Sequence, residues 1–383
     1  MTTSFWILVA LIGYSYVGYG LLVVLLAQLF GRRAEARLVR PMRATLLIAA
    51  HNEAACIGRK VENALALPLG AHSLDIVVTS DGSDDDTVRV AQTYADRGVR
   101  TFETVEHLGK AHALNKALAA IGGDVVIFSD ANSEIDKAAI PVLLDHFSDA
   151  GVGGVCGSLG VSGKRRGWLS LCEGLYWRYD HALKKAESAL AGAVSAQGSL
   201  YAIRRELVTQ VPNGVADDLI NSLRVVLAGQ RLVFEAGAKV YEAVTSDTRS
   251  EFGRRVRSTE RGWRGLMATK ELLNPFQTGF YALQLFSHKV LRRLTPFLML
   301  ALMLVNLAVI TEGLIYLAAG MIQVAFYSAA LLGWVTGGRA GAWASVPCFI
   351  VMGNVAMMIG IINVMRGKKS MTWKPARVEL KQS

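Results

Sequence analysis

Apolar and polar positions divide the chain into three parts. From Phe5 through Leu29 no charged residue occurs, a run long enough to cross a bilayer as one helix. Between residues 40 and 270 short apolar runs alternate with mixed, helix-like stretches. Beyond residue 293 the chain turns apolar again, with candidate spans at about 294–312, 313–336 and 343–365. Just before them, Phe280, Leu283, Leu285, Phe286 and Val290 alternate with His288, Lys289, Arg292 and Arg293, the pattern of an amphipathic helix lying on a membrane surface. In the middle part, Arg43–Ala50 reads as a buried strand, followed by a helix through Leu67. Asp75–Thr79 reads as a second strand with a helix to Asp96, and Val99–Phe102 as a short third. Gly109–Asn115 opens another helix. Val125–Phe128, four apolar residues rich in β-branched types, then reads as a strand buried on both faces and ending at Asp130. Strand and helix alternating at this spacing predict an α/β fold, a doubly wound and mostly parallel sheet.

The composition agrees with this division. A 383-residue chain that is 52% hydrophobic is too apolar for an ordinary soluble domain, yet its middle is polar enough to be one. The expected organisation is a transmembrane anchor over 1–31, a globular domain over 40–270, amphipathic interface helices over 271–293, transmembrane helices over 294–366 and a basic tail over 367–383. No basic n-region or small-residue cleavage site accompanies the first apolar run, so it reads as an anchor and not as a removable signal. The net charge of +10 comes from 41 Lys plus Arg against 31 Asp plus Glu. Much of the excess flanks the apolar segments, at Arg32, Arg33, Arg37, Arg40 and Arg43 and at Arg366, Lys368, Lys369, Lys374 and Arg377. Topology and anionic headgroups explain that placement, and nucleic acid is not an expected partner. The arginines after the first span place the central domain in the cytosol. Three later spans would then carry the basic tail outside, so either one apolar segment is re-entrant or interfacial, or the tail breaks the positive-inside rule. Cys56, Cys156, Cys172 and Cys348 form no CxxC pair, which argues against a zinc site or a disulfide framework.

The chemistry lies where the strands stop. Ligands of open α/β sheets sit beyond the carboxyl ends of the strands, and every polar cluster of the middle part falls there. Asp130-Ala131-Asn132 aims two hard oxygen ligands at that crevice, a place for a divalent cation and a phosphate. Ser80-Asp81-Gly82-Ser83 combines a carboxylate able to accept from a base N–H with a glycine for a tight turn, while Asp84, Asp85 and Asp86 serve as helix caps and dipole partners. Lys110 opens a helix whose first amides could meet a diphosphate. No G-x-x-x-x-G-K-[ST] occurs, which argues against a P-loop ATPase. Gly151-Val152-Gly153-Gly154 lacks the dinucleotide spacing and comes too late in the domain. The signal left is a sugar nucleotide held by carboxylates and a metal.

In combination, Ala49-Ala50-His51-Asn52-Glu53, Ser80-Asp81-Gly82-Ser83-Asp84-Asp85, Gly109-Lys110 with Asn115, Asp130-Ala131-Asn132, Gly198-Ser199 and Ala216-Asp217-Asp218 resemble the successive motifs of membrane-bound family 2 glycosyltransferases with a GT-A fold. The resemblance covers nearly the whole chain, including Ser287–Arg292 and Thr372-Trp373-Lys374-Pro375. Relatives of this kind include synthases of cellulose, hyaluronan and chitin-like oligosaccharides and bacterial exopolysaccharide transferases. The resemblance implies that Ala50, Asn52, Glu53 and Asp81 line the nucleoside, with Lys110 on the donor phosphates. It implies that Asp130 and Asn132 hold Mg2+ or Mn2+, and that Asp218, beside Asp217, is the general base. Gly198, Ser199, Arg257, Arg261 and Trp263 fall to the acceptor and diphosphate side.

The expected activity is inverting transfer of a sugar from a UDP-sugar to a lipid-linked or glycan acceptor, at the cytosolic face of a bacterial inner membrane. A positioned carboxylate suits it, because a sugar hydroxyl is a poor nucleophile at neutral pH. Two departures from the family pattern stand out. Asn132 replaces the usual second aspartate and brings one less negative charge to the metal. In Arg261-Gly262-Trp263 a glycine separates the Arg and Trp that are adjacent in the Gln-x-x-Arg-Trp of processive relatives, which favours addition of one or a few sugars. A processive synthase, a polyprenyl-phosphate glycosyltransferase and a non-catalytic nucleotide-sensing membrane subunit are the alternatives. A transporter fits less well, since the apolar segments hold almost no charge beyond Glu312.

Overall fold

A computed structural model describes residues 1–32, 39–162, 168–243 and 248–368. At its centre is an eight-stranded sheet: β1 Arg43–Ala50, β2 Ser73–Asp81, β3 Arg100–Thr104, β4 Val125–Asp130, β5 Ser133–Ile135, β6 Val152–Ser162, β7 Leu200–Arg204 and β8 Arg231–Ala243. The strand order is β3-β2-β1-β4-β7-β6-β8-β5. The first four strands are parallel, as their alternation with helices predicts. After β4 the sheet is mixed: β7 runs antiparallel to both β4 and β6, β6 and β8 are parallel, and β5 is antiparallel to β8.

The residue types explain the sheet. Leu46 and Ile48 of β1 point into one apolar layer with Ile57, Val61, Ile76 and Val78, while Leu47 and Ala49 point into the other with Val77, Leu114, Val126 and Phe128. Both faces are covered, so β1 is apolar throughout and shows no alternation. Register then sets the site: Ala49 lies level with Thr79 on one side and Asp130 on the other. Asp81 lies level with Thr104 of β3. The carboxyl ends of the first four strands therefore meet along one edge.

Four helices are long and apolar enough to cross a membrane: Thr2–Phe30, Phe280–Val309, Leu314–Val335 and Ala342–Met365. The amphipathic stretch expected before residue 293 is not a separate helix lying on its own. It runs through a π turn, Phe286–Leu291, straight into the apolar helix Arg292–Val309. Phe280–Leu285 turns its buried residues Tyr281 and Leu285 onto Val194, Leu219 and Leu266. That packing, which no local pattern encodes, fuses the interface segment with the span. The helix Thr248–Ala268 is wedged against Ala342–Met365, where Gly360 meets Thr259 and Asn363 Nδ2 donates to Glu260 Oε1 at 2.6 Å. The basic tail beyond residue 368, with Thr372–Pro375, lies outside the described residues.

Candidate active site

Three loops beyond the carboxyl ends of the strands are laced together. Asn52 adopts φ 55°, a left-handed conformation that asparagine tolerates. Its Oδ1 accepts from the Asp84 amide at 2.8 Å, and its own amide donates to Ser83 Oγ at 3.0 Å. Asp85 accepts from the Ala54 amide (3.1 Å) and the Thr87 amide (3.0 Å), so one carboxylate caps two helices. The Glu53 amide donates to Thr87 Oγ1 at 2.8 Å, and its carboxylate accepts from the Cys56 thiol at 2.9 Å. Burial, with Asp130 and Asp85 nearby, raises the Glu53 carboxyl above its ordinary range, and burial beside Glu53 pushes the Cys56 thiol up to about 12.

Asp81 is fully buried, with Oδ1 accepting from the amides of Leu108 and Gly109 at 3.1 Å each. Its carbonyl is 2.7 Å from His51 Nδ1 and 3.1 Å from His107 Nδ1, and the two imidazoles stack at 3.8 Å. Gly82 is required here: at φ 57°, a Cβ would come within 2.6 Å of the His107 amide nitrogen. His51, Asp81 and His107 bring ligand atoms within 4.8 Å of one another, as a metal would need. The two Nδ1 atoms, however, are already committed to Asp81. His107 was not singled out from the sequence; an isolated histidine after a weak strand carries no signal until the sheet brings it to β2.

A second cluster gathers at Lys110. Its Nζ is 2.8 Å from Asp130 Oδ1 and 3.4 Å from Asp217 Oδ1. Burial opposes the charge, but Asp130 and Asp217 hold the ammonium above the usual lysine range. Asp217 Oδ2 accepts from the Tyr201 hydroxyl at 3.0 Å, and Tyr201 stacks on Phe128 of β4 at 4.6 Å. Asp217 and Asp218 form the first turn of the helix Asp217–Leu227, where its dipole favours negative charge. Asp218 Oδ1 accepts from the Leu219 amide at 2.8 Å. Burial first, and then Asp217, raise the Asp218 carboxyl to about 6, against the lowering by Lys110 and Lys289. Gly198 lies between the acids: a Cβ there would be 3.7 Å from Asp218 Oδ2 and 3.9 Å from Asp130 Oδ2. Lys110, Asp130, Asp217, Asp218 and Gly198 thus share one corner.

A divalent cation fits the corner. Asp130 supplies a carboxylate whose Oδ2 faces the Gly198 gap, and Asn132 stands exposed two residues on, in the turn before β5. Glu242 of β8 adds a carboxyl that burial and Asp130 raise, against a hydrogen bond from Ser199. Beneath the turn, Lys60 is 2% exposed and donates to Ser129 Oγ (2.7 Å) and Ser133 Oγ (3.0 Å). Burial lowers it to about 7, against the pull of Asp130 and Glu242. Lys60 had a legible signal, because it sits on the apolar stripe of Ile57, Val61 and Ala64 where a lysine does not belong. Glu242 had none.

The remaining expected residues lie on the membrane side. Arg261 is within electrostatic reach of Asp217, which places it near the corner; Arg257 lies one helical turn earlier, close enough to act on Arg261. Trp263 packs with Val194, Leu219 and Leu266. The intervening Gly262 is buried, and a Cβ on it would stand 2.5 Å from Arg293 Nη2.

Comparison with known proteins places this geometry. Residues 41–265 match the profile of the glycosyltransferase like family 2. The poly-beta-1,6-N-acetyl-D-glucosamine synthase of Staphylococcus aureus (strain COL) is 26% identical over 227 residues, 57% of this chain and 54% of that protein. An N-acetylglucosaminyltransferase of Azorhizobium caulinodans is 26% identical over 181 residues, 43% of this chain and 46% of its own length. The matched stretch spans about half the length of these curated relatives. Among solved structures, a mannosyltransferase from Pyrobaculum calidifontis in complex with GDP-Man and Mn2+ superposes with a TM-score of 0.70 at 22% identity, covering 95% of this chain and 99% of that one. Its likeness extends the fold match over the apolar helices as well as the sheet. With the family profile covering most of the sheet and both acidic clusters, the chain belongs to the glycosyltransferase like family 2.

Proposed function

We propose that this glycosyltransferase moves a sugar from a UDP-sugar to a lipid-linked or glycan acceptor at the cytosolic face of the membrane, with inversion and with Asp218 as general base. The carrying observation is the half-buried Asp218 carboxyl, facing Asp130 across Gly198 and raised to about 6. A base with that value is ionised at neutral pH and still basic enough to take a hydroxyl proton. The acceptor oxygen forms its bond to the anomeric carbon as the bond to UDP breaks, the electron pair leaves on the diphosphate, and the proton passes to Asp218. Lys110 and Arg261 neutralise charge on the donor side, and Tyr201 holds Asp217 so that the two acids keep their spacing. Mg2+ or Mn2+, held by Asp130 and Asn132, would supply Lewis-acid neutralisation of the leaving diphosphate. Both curated relatives are named for N-acetylglucosamine, so UDP-N-acetylglucosamine is the first donor to test.

The test is UDP release by the full chain in detergent with Mn2+ or Mg2+, across UDP-N-acetylglucosamine, UDP-glucose and UDP-galactose, alongside Asp218→Asn. Metal-dependent turnover of one donor, lost in the variant, is expected. Full turnover in Asp218→Asn would overturn the base assignment. A second reading, a processive synthase, is favoured by the polymer in the name of the staphylococcal relative. Product sizing separates the two: long polymer from a single binding event supports the second.

A further inference from the structure

Lys60 lies on the helix Ala54–Leu65, in the apolar stripe of Ile57, Val61 and Ala64. A lysine buried among aliphatic side chains is tolerated only where its donors find partners. Its Nζ reaches Ser129 Oγ at 2.7 Å and Ser133 Oγ at 3.0 Å, the residues that flank Asp130-Ala131-Asn132. Each serine has one hydroxyl proton, and both protons are spent on carbonyls: Ser129 donates to Ser199 and Ser133 to Asp130, each at 2.8 Å. The two hydroxyls lie 3.1 Å apart, and with their protons so spent each is left an acceptor. Lys60 supplies the donor to both.

Asn63, one turn further along the same helix, secures the far side. Its Oδ1 accepts from the Ile135 amide and its Nδ2 donates to the Ile135 carbonyl, both at 2.9 Å, so the side chain holds β5 as a neighbouring strand would. The helix begins at Ala54, directly after Asn52 and Glu53. One rigid element therefore carries the Asn52-Glu53 loop at its start and grips both ends of the Asp130–Asn132 turn from its middle. Through Ser129 the grip extends to Ser199, next to the Gly198 that lies between Asp130 and Asp218.

Resting on the reading of Asp130 and Asn132 as cation ligands, we propose that Lys60 is a positioning residue for the transfer: it fixes the turn that presents those oxygens, in register with the Asn52-Glu53 loop and with Gly198-Ser199. It acts through the two serines and not on the reacting atoms. A ligand turn held from behind keeps its oxygens in place before a cation arrives, which spares the cost of ordering the loop. That role has the opposite sign to the lysine's charge. An ammonium beneath the turn repels a dication, so removing a lysine that acted through charge alone would tighten cation binding. Removing a positioning lysine loosens it.

The test is Mn2+ binding to the full chain in detergent with UDP present, read as free Mn2+ by electron paramagnetic resonance, with UDP binding in EDTA measured in parallel. Lys60→Met keeps most of the side chain's length and removes its donors; Ser133→Ala breaks the same clamp and leaves the charge in place. Both should weaken Mn2+ binding about ten- to a hundredfold, the range for losing a group that orients a metal ligand, with UDP affinity in EDTA within about twofold of wild type. The double variant should be no weaker than Lys60→Met alone, since both changes cut one linkage. Tighter or unchanged Mn2+ binding in Lys60→Met would overturn the proposal. So would an equal loss of metal-free UDP affinity, which would make the lysine a core residue of the whole domain. Should Lys60→Met fail to fold, Ser133→Ala decides: weakened Mn2+ binding supports the clamp and unchanged binding overturns it. Asp130→Ala separates the two readings. Mn2+ binding kept there sinks the metal corner and this proposal with it, whereas binding lost there but kept in Lys60→Met sinks the positioning role alone.

Discussion

The nucleotide loops and the membrane-side cations are built on opposite principles. Around Asp81, Asp85 and Asn52 the charged and polar atoms are paired with backbone amides and neighbouring side chains. At Lys289 and Arg293 the cations lie side by side, and among the described residues neither has a carboxylate within 4.0 Å. A loop that must hold its shape before any donor arrives needs internal partners, since a buried acceptor left open costs about 1–3 kcal/mol.

The largest expected effect lies where the halves meet. Asp218→Asn should lower kcat by roughly a hundred- to ten-thousand-fold, read as UDP release at saturating donor. In the wild type, kcat/KM should fall about tenfold per pH unit below about 6, because the raised Asp218 carboxyl is protonated there and a protonated base cannot accept. A flat profile between pH 5 and about 7 would break the assignment.

Stability distinguishes the halves next. Asp81→Ala leaves the Leu108 and Gly109 amides without their acceptor and should cost about 3 kcal/mol, seen as a lower unfolding midpoint in urea. Arg293→Gln removes a repelled cation and should melt within about 0.5 kcal/mol of wild type, or above it. Comparable destabilisation by both would mean that the membrane side is as internally satisfied as the nucleotide side.

A pH-dependent effect concerns Lys60. Its folded value of about 7 lies well below the ordinary lysine value near about 10.4, so between those values the unfolded chain holds a proton that the folded chain lacks. Stability should therefore rise with pH across that window. In Lys60→Met the rise should vanish, and differential scanning calorimetry from pH 7 to about 10 would show it.

These contrasts also explain what could be read from the sequence. The parallel strands and their loops were legible, because apolar runs such as Val125–Phe128 and turn residues such as Gly82 carry local signals. The same holds for the last two apolar helices, expected at about 313–336 and 343–365 and found at Leu314–Val335 and Ala342–Met365. The reversal at β7 was not legible, since pairing direction depends on where a distant strand arrives. Nor was the fusion of the amphipathic segment with its span, which rests on Tyr281 and Leu285 finding Val194 and Leu219. Gly262 was visible as an interruption of a motif, but only the position of Arg293, thirty-one residues further on, gives it a reason. A sequence displays the loops because their partners are close in the chain. It conceals the contact of Gly262 with Arg293 because that contact joins two helices through space.

The first helix adds a consequence for how the protein is made. Its hydroxyls find their partners far along the chain: Tyr19 with Glu187 at a separation of 168 residues, Tyr14 with Ser287 at 273, Ser15 with Thr295 at 280 and Tyr16 with Asn354 at 338. At a ribosomal pace of roughly 5–20 residues per second, the last of these groups waits on the order of twenty seconds to a minute after its own synthesis. Through that interval the anchor is in place while its polar face is unmatched, and it seals in order, to the helix Trp168–Leu190 first and to Ala342–Met365 last. The nascent chain thus carries its own clock: a Tyr16 hydroxyl paired with Asn354 belongs to a chain whose helix Ala342–Met365 has arrived.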